Sequence, residues 1–217
     1  MTRLVWNAVG SRFFETGLDR GALYPTEKPG IAWNGLISVT DSPQGGGVSS
    51  YFVDGQKTRQ QAAPIEHHAT IEAYSYPGAF ALCDGTAVPL PGVYFSEQPR
   101  SMFDLSYRTR LGNDVDGPDH AYKLHLVYNA LANPSLRKRD SSTDLPKPTI
   151  FKWRLTAMPE LVPGLGYSAH LTYDTKDNTR EFMDALERIL YGSESQAPRM
   201  PRPSELIELA GTINGNG

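Results

Sequence analysis

The stretch LSYRTRLGNDVDGPDHAYKLHLVYN, residues 105–129, is the most informative part of the chain for its fold. Its second half alternates between two faces of an extended strand. One face carries Tyr122, Leu124, Leu126 and Tyr128, and the other carries Lys123, His125 and Val127. The segment from Gly112 to Asp119 between the two halves is dense in residues that set turn geometry. The pattern predicts β-strands joined by an acidic loop, and it contains no arrangement typical of a catalytic centre.

The size and composition of the chain favour a soluble globular protein. Its 217 residues suffice for one large domain or two small ones with a substantial core. Hydrophobic residues make up 39% of the chain and charged residues 21%, which is not typical of disordered or membrane proteins. The 20 glycines and 17 prolines favour many turns between short strands over a helical bundle.

Charge and cysteine content narrow the class of protein further. The formal net charge is −3, whereas proteins that grip nucleic acid usually carry a basic face. The short basic cluster at residues 137–139 is interpreted as a solvated loop tip. The single cysteine, Cys83, excludes an internal disulfide. We expect no signal peptide and no membrane anchor, because no apolar run approaches the roughly 20 residues of a membrane helix, and we expect folding in a reducing cytoplasm.

Hydrophobic periodicity predicts a mainly β fold with one flanking helix. The predicted strands span residues 31–40, 51–57, 67–76, 121–129, 149–157 and 167–173. Loops are predicted at residues 41–50, where Gly45, Gly46 and Gly47 follow one another, and at 133–148.

The helix is predicted after Asn178, which has capping-box spacing to Glu181, and a stop is expected at Gly192. A second short helix is predicted over residues 204–209. We expect a single domain over residues 1–210, with a turn-rich N-terminal arm at about residues 1–30 and a flexible tail at residues 211–217.

Candidate chemistry is sparse. His67 and His68 are adjacent on a predicted strand and point to opposite faces, so they are not expected to share a metal ion. The sequence predicts His125 and His170 to be isolated and Cys83 to be a small buried residue or an inert thiol. The acidic loop residues resemble part of a calcium loop, yet the distal bidentate Glu is missing, which favours a solvated turn. These residues are Asp114, Asp116 and Asp119.

No motif for a nucleophile elbow or a phosphate-binding loop occurs in the sequence. We therefore predict no catalytic, cofactor-binding or metal-ligating residues, no cofactor and no enzymatic activity. Two hypotheses stay open. Glycoside hydrolysis is one, because two carboxylates that are distant in the sequence can meet in the fold. Carbohydrate binding is the other, because exposed tyrosines can stack on sugars and the chain has 11 tyrosines.

Several short strings, in their order and number, carry a resemblance to a known family. They are FETGLDRGALYP (14–25), AWNGL (32–36), ATIEAY (69–74), YP (76–77), CDG (83–85), PGV (91–93), LSYRT (105–109), GND (112–114), YKLHLVYN (122–129), LYG (190–192) and PRP (201–203). From about Arg12 to about Leu209 the chain resembles the major tail protein, or tail tube protein, of long-tailed non-contractile bacteriophages of the actinobacteriophage type.

The resemblance implies a tail-tube-like β-sandwich or barrel with a flanking helix and long loops. It implies a virion structural protein, assembled in the host cytoplasm, whose six copies form a ring and whose rings stack into a tube. The implied partners are other copies of the chain, the tape measure protein, and tail terminator or tail-tip proteins, while DNA passes through the lumen without specific binding.

Contacts between subunits are expected from open strand edges and long loops. The candidates are residues 10–30 and 41–50, for adjacent rings, and the loop from Gly112 to Asp119, for a neighbouring subunit. Two alternatives remain: a single-ring protein of the tail tip or head–tail junction with the same fold, and a glycan-binding module of the virion.

Overall fold

The structure is a computed structural model that describes residues 3–26, 28–135, 137, 139, 141 and 148–214. The strands are β1 (Phe13–Pro25), β2 (Ile31–Ala32), β3 (Leu36–Asp41), β4 (Gln44–Gly45), β5 (Val48–Val53), β6 (Gln56–Ala62), β7 (Ile65–Glu66), β8 (His68–Ala73), β9 (Ala87–Leu90), β10 (Val93–Phe95), β11 (Phe103–Asn113), β12 (Gly117–Pro134), β13 (Phe151–Ala157), β14 (Glu160–Val162), β15 (Gly166–Ser168) and β16 (His170–Asp174). The helices are α1 (Arg180–Tyr191) and α2 (Pro203–Asn214), and a 3-10 turn spans Gly78–Ala81. The predicted mainly β fold with a flanking helix is confirmed, and a second helix accompanies the first.

One antiparallel sheet of eight strands dominates the fold. Its strand order is β2-β1-β11-β12-β13-β8-β3, with β16 paired to β12. Strand β12 pairs with β11 along one edge, while its other edge pairs first with β16 and then with β13. Asn129 lies at this change of partner with a φ of 47°, a left-handed conformation that asparagine tolerates. The path of described strands has two ends, so the sheet is open rather than a closed barrel.

The inner core fills the concave side of the curled sheet. It contains side chains from β1, β8, β11, β12 and β13, with Trp153 and Phe80 fully buried. The two ends of the sheet approach each other where β1, next to one end, meets β3 at the other. A Cβ atom at Gly21 would lie 2.8 Å from Leu36 Cδ2, so a larger residue there would displace the Leu36 side chain.

The two helices cover the opposite side of the sheet and enclose a second core. Phe182, Leu186 and Leu190 of α1 are buried in this core. The predicted alternation of β12 is confirmed, but both of its faces are buried at their centre. Leu124, Leu126 and Tyr128 pack under the helices, whereas Val127 joins the inner core.

The ends of the helices differ from the prediction. Thr179, not Asn178, caps α1, since its Oγ1 accepts a hydrogen bond from Phe182 N at 3.3 Å. Asn178 instead donates through Nδ2 to Asp174 O at 2.8 Å. Gly192 ends the helix as predicted. Helix α2 continues beyond the predicted residues 204–209, so residues 211–214 are helical, while 215–217 lie outside the described residues.

Much of the predicted N-terminal arm, residues 1–30, is a strand of the main sheet. Strand β1 occupies residues 13–25 and pairs with β11 from Phe13 to Pro25. Two register shifts interrupt the pairing, at Gly17 and around Gly21. The glycines that suggested turns therefore form β-bulges inside a strand, which increase its local twist. A single domain over residues 1–210 stays a prediction.

The predicted flexible loop at residues 41–50 is largely β-structure. Strand β4 pairs with β7, and β5 pairs with β6 to form a ribbon. The strand predicted over residues 51–57 is the tip of this ribbon, where Asp54 and Gly55 form the turn with positive φ values of 51° and 75°. A two-residue turn of this type matches the twist of the flanking strands. The predicted loop at 133–148 falls mostly outside the described residues.

Candidate functional site

The β5–β6 ribbon projects from the fold without a protein surface to cover it. Every residue of both strands is exposed. Among them, Val48, Tyr51, Phe52 and Val53 are each more than half exposed, with Phe52 at 64%. Exposed apolar side chains grouped in this way commonly mark a surface that contacts another molecule.

The N-terminal segment before β1 is a second exposed apolar surface. Leu4, Val5, Trp6 and Val9 are all more than two-thirds exposed. The segment is tied to the fold at its C-terminal end, where Arg12 N donates to Asp114 Oδ1 at 3.3 Å.

Two short hairpins expose further apolar groups. In the β9–β10 hairpin these are Leu90, Tyr94 and Phe95, and in the β14–β15 hairpin Leu165 and Tyr167 are 87% and 75% exposed. The described part of the chain thus exposes apolar side chains on four separate projections. This distribution suits a subunit with several neighbours better than one small-ligand pocket.

Ion pairs between adjacent strands neutralise much of the charge on β1, β11 and β12. Asp19 accepts from Arg108 Nε at 2.6 Å and from Arg108 Nη2 at 2.8 Å. These hydrogen bonds hold the pKa of Asp19 below its ordinary value of 3.8. Lys123 Nζ donates to Glu15 Oε2 at 2.6 Å in the same region. The sheet is therefore charged but locally balanced.

The acidic segment is a tight turn rather than a long loop. Asn113 pairs with Gly117 across the hairpin. Asn113 Oδ1 accepts from Val115 N and Asp116 N at 3.0 and 2.6 Å, which closes the turn. The segment is therefore shorter than the loop expected from sequence, and its contact with a neighbouring subunit stays a prediction.

Two of the three acidic side chains of this turn interact with residues of the same hairpin. Asp119 accepts from Arg110 at 3.0 Å, and Asp116 Oδ2 lies 2.7 Å from His120 Nδ1. The third carboxylate, of Asp114, accepts from Arg12 N, so each of the three has a separate partner.

The structure corrects the interpretation of the basic cluster at residues 137–139. Arg137 is not at a solvated tip, because its Nη2 donates to Asp84 Oδ2 at 2.5 Å. Asp84 is buried and also accepts from Trp153 Nε1 at 2.6 Å. This network ties residue 137 to the inner core.

Cys83 lies in the inner core, as predicted for a small buried residue. Its side chain is almost completely buried, and burial raises the pKa of the thiol to about 11. It is therefore a neutral thiol at physiological pH, which agrees with the expected inert role.

The histidines are not isolated, contrary to the prediction. His125 Nδ1 lies 3.1 Å from His170 Nε2, and the rings of His67 and His170 are 4.9 Å apart between centroids. His68 points away from this group, to Thr156, as the alternation of a strand requires. The grouping depends on three strands distant in sequence, so no local spacing indicated it.

Among the described residues, neither helix is long and apolar enough to cross a membrane. No protein-family model and no curated protein matches the chain.

Among solved structures, a chain of the anti-feeding prophage baseplate aligns at 15% identity over 78% of this chain and 97% of its own length, with a TM-score of 0.36. A chain of the PVC sheath–tube complex, an extracellular contractile injection system in the extended state, aligns at 13% identity over 71% and 88%, with a TM-score of 0.34. A chain of the anti-feeding prophage tube-terminating cap aligns at 10% identity over 80% and 95%, also with a TM-score of 0.34. Similarity at this level establishes neither a shared fold nor a shared function.

Proposed function

We propose that this chain is a structural subunit of a bacteriophage tail tube. It self-assembles into hexameric rings that stack into a hollow conduit for DNA ejection. The observation that carries the proposal is the β5–β6 ribbon, whose residues are all exposed although several are large and apolar. The resemblance of the sequence strings to tail tube proteins supplies the identity of the assembly.

The ribbon needs a partner for physical reasons. A two-stranded hairpin alone is marginally stable in water, and it gains stability when a third strand or a packed surface covers it. Its outer edges also offer unpaired backbone groups, which invite pairing with another chain. A second copy of the same chain, placed by ring and stack symmetry, supplies such a surface for every subunit.

The remaining features suit a passive conduit. The sheet is curled and open, its strand charges are paired, and the chain carries a net charge of −3. A tube that conducts DNA functions best when it does not hold the phosphate backbone, and a mildly acidic chain meets that need. We place the protein in the virion, in contact with a tape measure protein during assembly and with terminator or tip proteins at the tube ends.

Two other roles follow from the same resemblance. A single-ring protein of the tail tip or head–tail junction would use the ribbon once and would not polymerise. A glycan-binding module would need clustered exposed aromatics. Trp33 and Trp153 are buried, whereas Trp6 is exposed in the N-terminal segment. The exposed aromatics of the hairpins are spread over three elements, which favours the tube subunit; they are Tyr51 with Phe52, Tyr94 with Phe95, and Tyr167.

A ribbon variant tests the proposal. We expect Phe52→Ser, combined with Tyr51→Ser, to shift purified protein from large assemblies to subunits or isolated rings in sedimentation velocity. The matched control is Ile207→Ser, since Ile207 is a partly exposed apolar residue of α2 away from the ribbon. Unchanged assembly of the ribbon variant, at wild-type thermal stability, would contradict the role of the ribbon.

A further inference from the structure

Three potential metal ligands converge where three strands end. Asp41 is the last residue of β3, His67 directly precedes β8, and His170 is the first residue of β16. One ligand atom from each lies within 4.8 Å of the other two. A tetrahedral zinc ion with bonds of about 2.0–2.1 Å holds its ligand atoms about 3.3 Å apart, so modest side-chain movements would close the site.

We propose that Asp41, His67 and His170 form a binding site for a divalent transition metal ion of the zinc class. The proposal is independent of the tail-tube function, and it departs from the expectation from sequence that no residue ligates a metal.

An unpartnered buried nitrogen supports the site. Nε2 of His67 is buried and has no hydrogen-bond partner in the described structure. The nearest acidic atom is Asp41 Oδ1, 3.8 Å away, which is too far for a hydrogen bond. Buried polar atoms in native proteins nearly always have a partner, and a water molecule or an ion supplies the one that protein groups do not. A metal ion between His67 and Asp41 would satisfy both atoms.

A hydrogen bond with His125 holds the ring of His170 in place. His125 Nδ1 lies 3.1 Å from His170 Nε2, and the His125 ring stacks on Tyr107 with centroids 4.6 Å apart. His125 Nε2 in turn lies 2.9 Å from Thr109 Oγ1. A hydrogen-bonded support of this kind orients ligating histidines in metal sites. His125 is therefore a positioning residue for the site.

The donor set selects the class of ion. Two imidazoles and one carboxylate suit zinc and neighbouring transition metals, whereas calcium and magnesium prefer oxygen ligands throughout. Three protein ligands leave a fourth position for water.

A bound ion would join the ends of β3 and β16, which share no backbone pairing. Because the ion would bind the folded state and not the unfolded chain, it would raise the melting temperature, and the rise would grow with the logarithm of the free ion concentration above Kd.

The test uses the purified full chain after chelator treatment and dialysis. We expect isothermal titration with zinc chloride to show one ion per chain and a raised melting temperature. Cobalt(II) should give the strong visible absorption of tetrahedral coordination. His67→Ala and His170→Ala should weaken zinc binding by at least about tenfold, and His125→Phe, which keeps the stacking ring, by about 10- to 100-fold.

His120→Ala is the matched control, because His120 lies in the β12 hairpin and interacts with Asp116. It should bind zinc like the wild type. Asp41→Asn removes an exposed carboxylate without creating a cavity, so it keeps the test valid if a histidine variant fails to fold. The proposal is overturned if the wild type takes up no zinc, or if Asp41→Asn and a folded His170→Ala bind zinc as tightly as the wild type.

Discussion

At the scale of single residues, buried and half-buried charged side chains join segments of the fold that are distant in the sequence. Asp84 joins Trp153 and Arg137 at the end of the inner core, and Asp19 joins Arg108 on the sheet. Neither pair follows from sequence spacing, because the partners are far apart in the chain. The sequence did indicate the buried thiol of Cys83, since a lone cysteine is usually a small core residue.

Replacing Asp84 by alanine should destabilise the protein strongly. The change leaves the Trp153 Nε1 donor and the Arg137 guanidinium without their buried acceptor, so we expect a loss of about 3–5 kcal/mol of unfolding free energy. Urea unfolding followed by tryptophan fluorescence measures it. The exposed Asp177→Ala control should change stability by less than about 0.5 kcal/mol. A similarly small effect at Asp84 would show that this network is not structural.

The ion pair of Asp19 and Arg108 predicts a pH-dependent contribution to stability. Folding lowers the pKa of Asp19, so its contribution is present above the ordinary value of 3.8 and is lost as the pH falls through the folded-state pKa. Asp19→Asn should therefore cost about 1 kcal/mol at neutral pH, after allowance for solvent screening.

Urea unfolding of wild type and Asp19→Asn at a series of pH values checks this prediction. The difference between the two proteins should shrink in acid. A difference that stays constant from neutral pH to well below pH 3.8 would mean that the carboxylate charge is not what stabilises the pair.

At the scale of elements, periodicity predicted what lies in the middle of strands and helices better than what lies at their ends. The alternation in β12 and β13 and the apolar repeat of α1 are confirmed, because burial imposes those periods directly. The β1 strand was missed because its glycines serve as bulges. The ribbon was predicted only in part, as a strand over residues 51–57, because nothing in the described chain buries one of its faces and its sequence lacks a strong alternation.

The structure and the sequence prediction name different residues as the N-terminal cap of α1. Thr179→Ala should destabilise the protein by about 1 kcal/mol, because it removes the acceptor for Phe182 N. Asn178→Ala should cost less, since Asn178 makes a loop hydrogen bond instead. Thermal unfolding of both variants compares them directly. A larger loss at Asn178 than at Thr179 would restore Asn178 as the cap.

At the scale of the whole molecule, the described residues expose apolar side chains on four separate projections, on which the proposed function rests. The sequence predicted the mainly β class and the flanking helix, and its short strings indicated a tail tube protein. It could not predict which segment projects, because projection is a property of the tertiary fold. It also missed the histidine group, because His67, His125 and His170 are far apart in the sequence and come together only in the fold.

The most direct test of the proposed function is electron microscopy of the purified wild-type protein at high concentration. The tube proposal predicts six-fold rings and stacked tubes of uniform width with a continuous central channel. Protein that remains strictly monomeric under these conditions, with no counterpart among virion components, would contradict it.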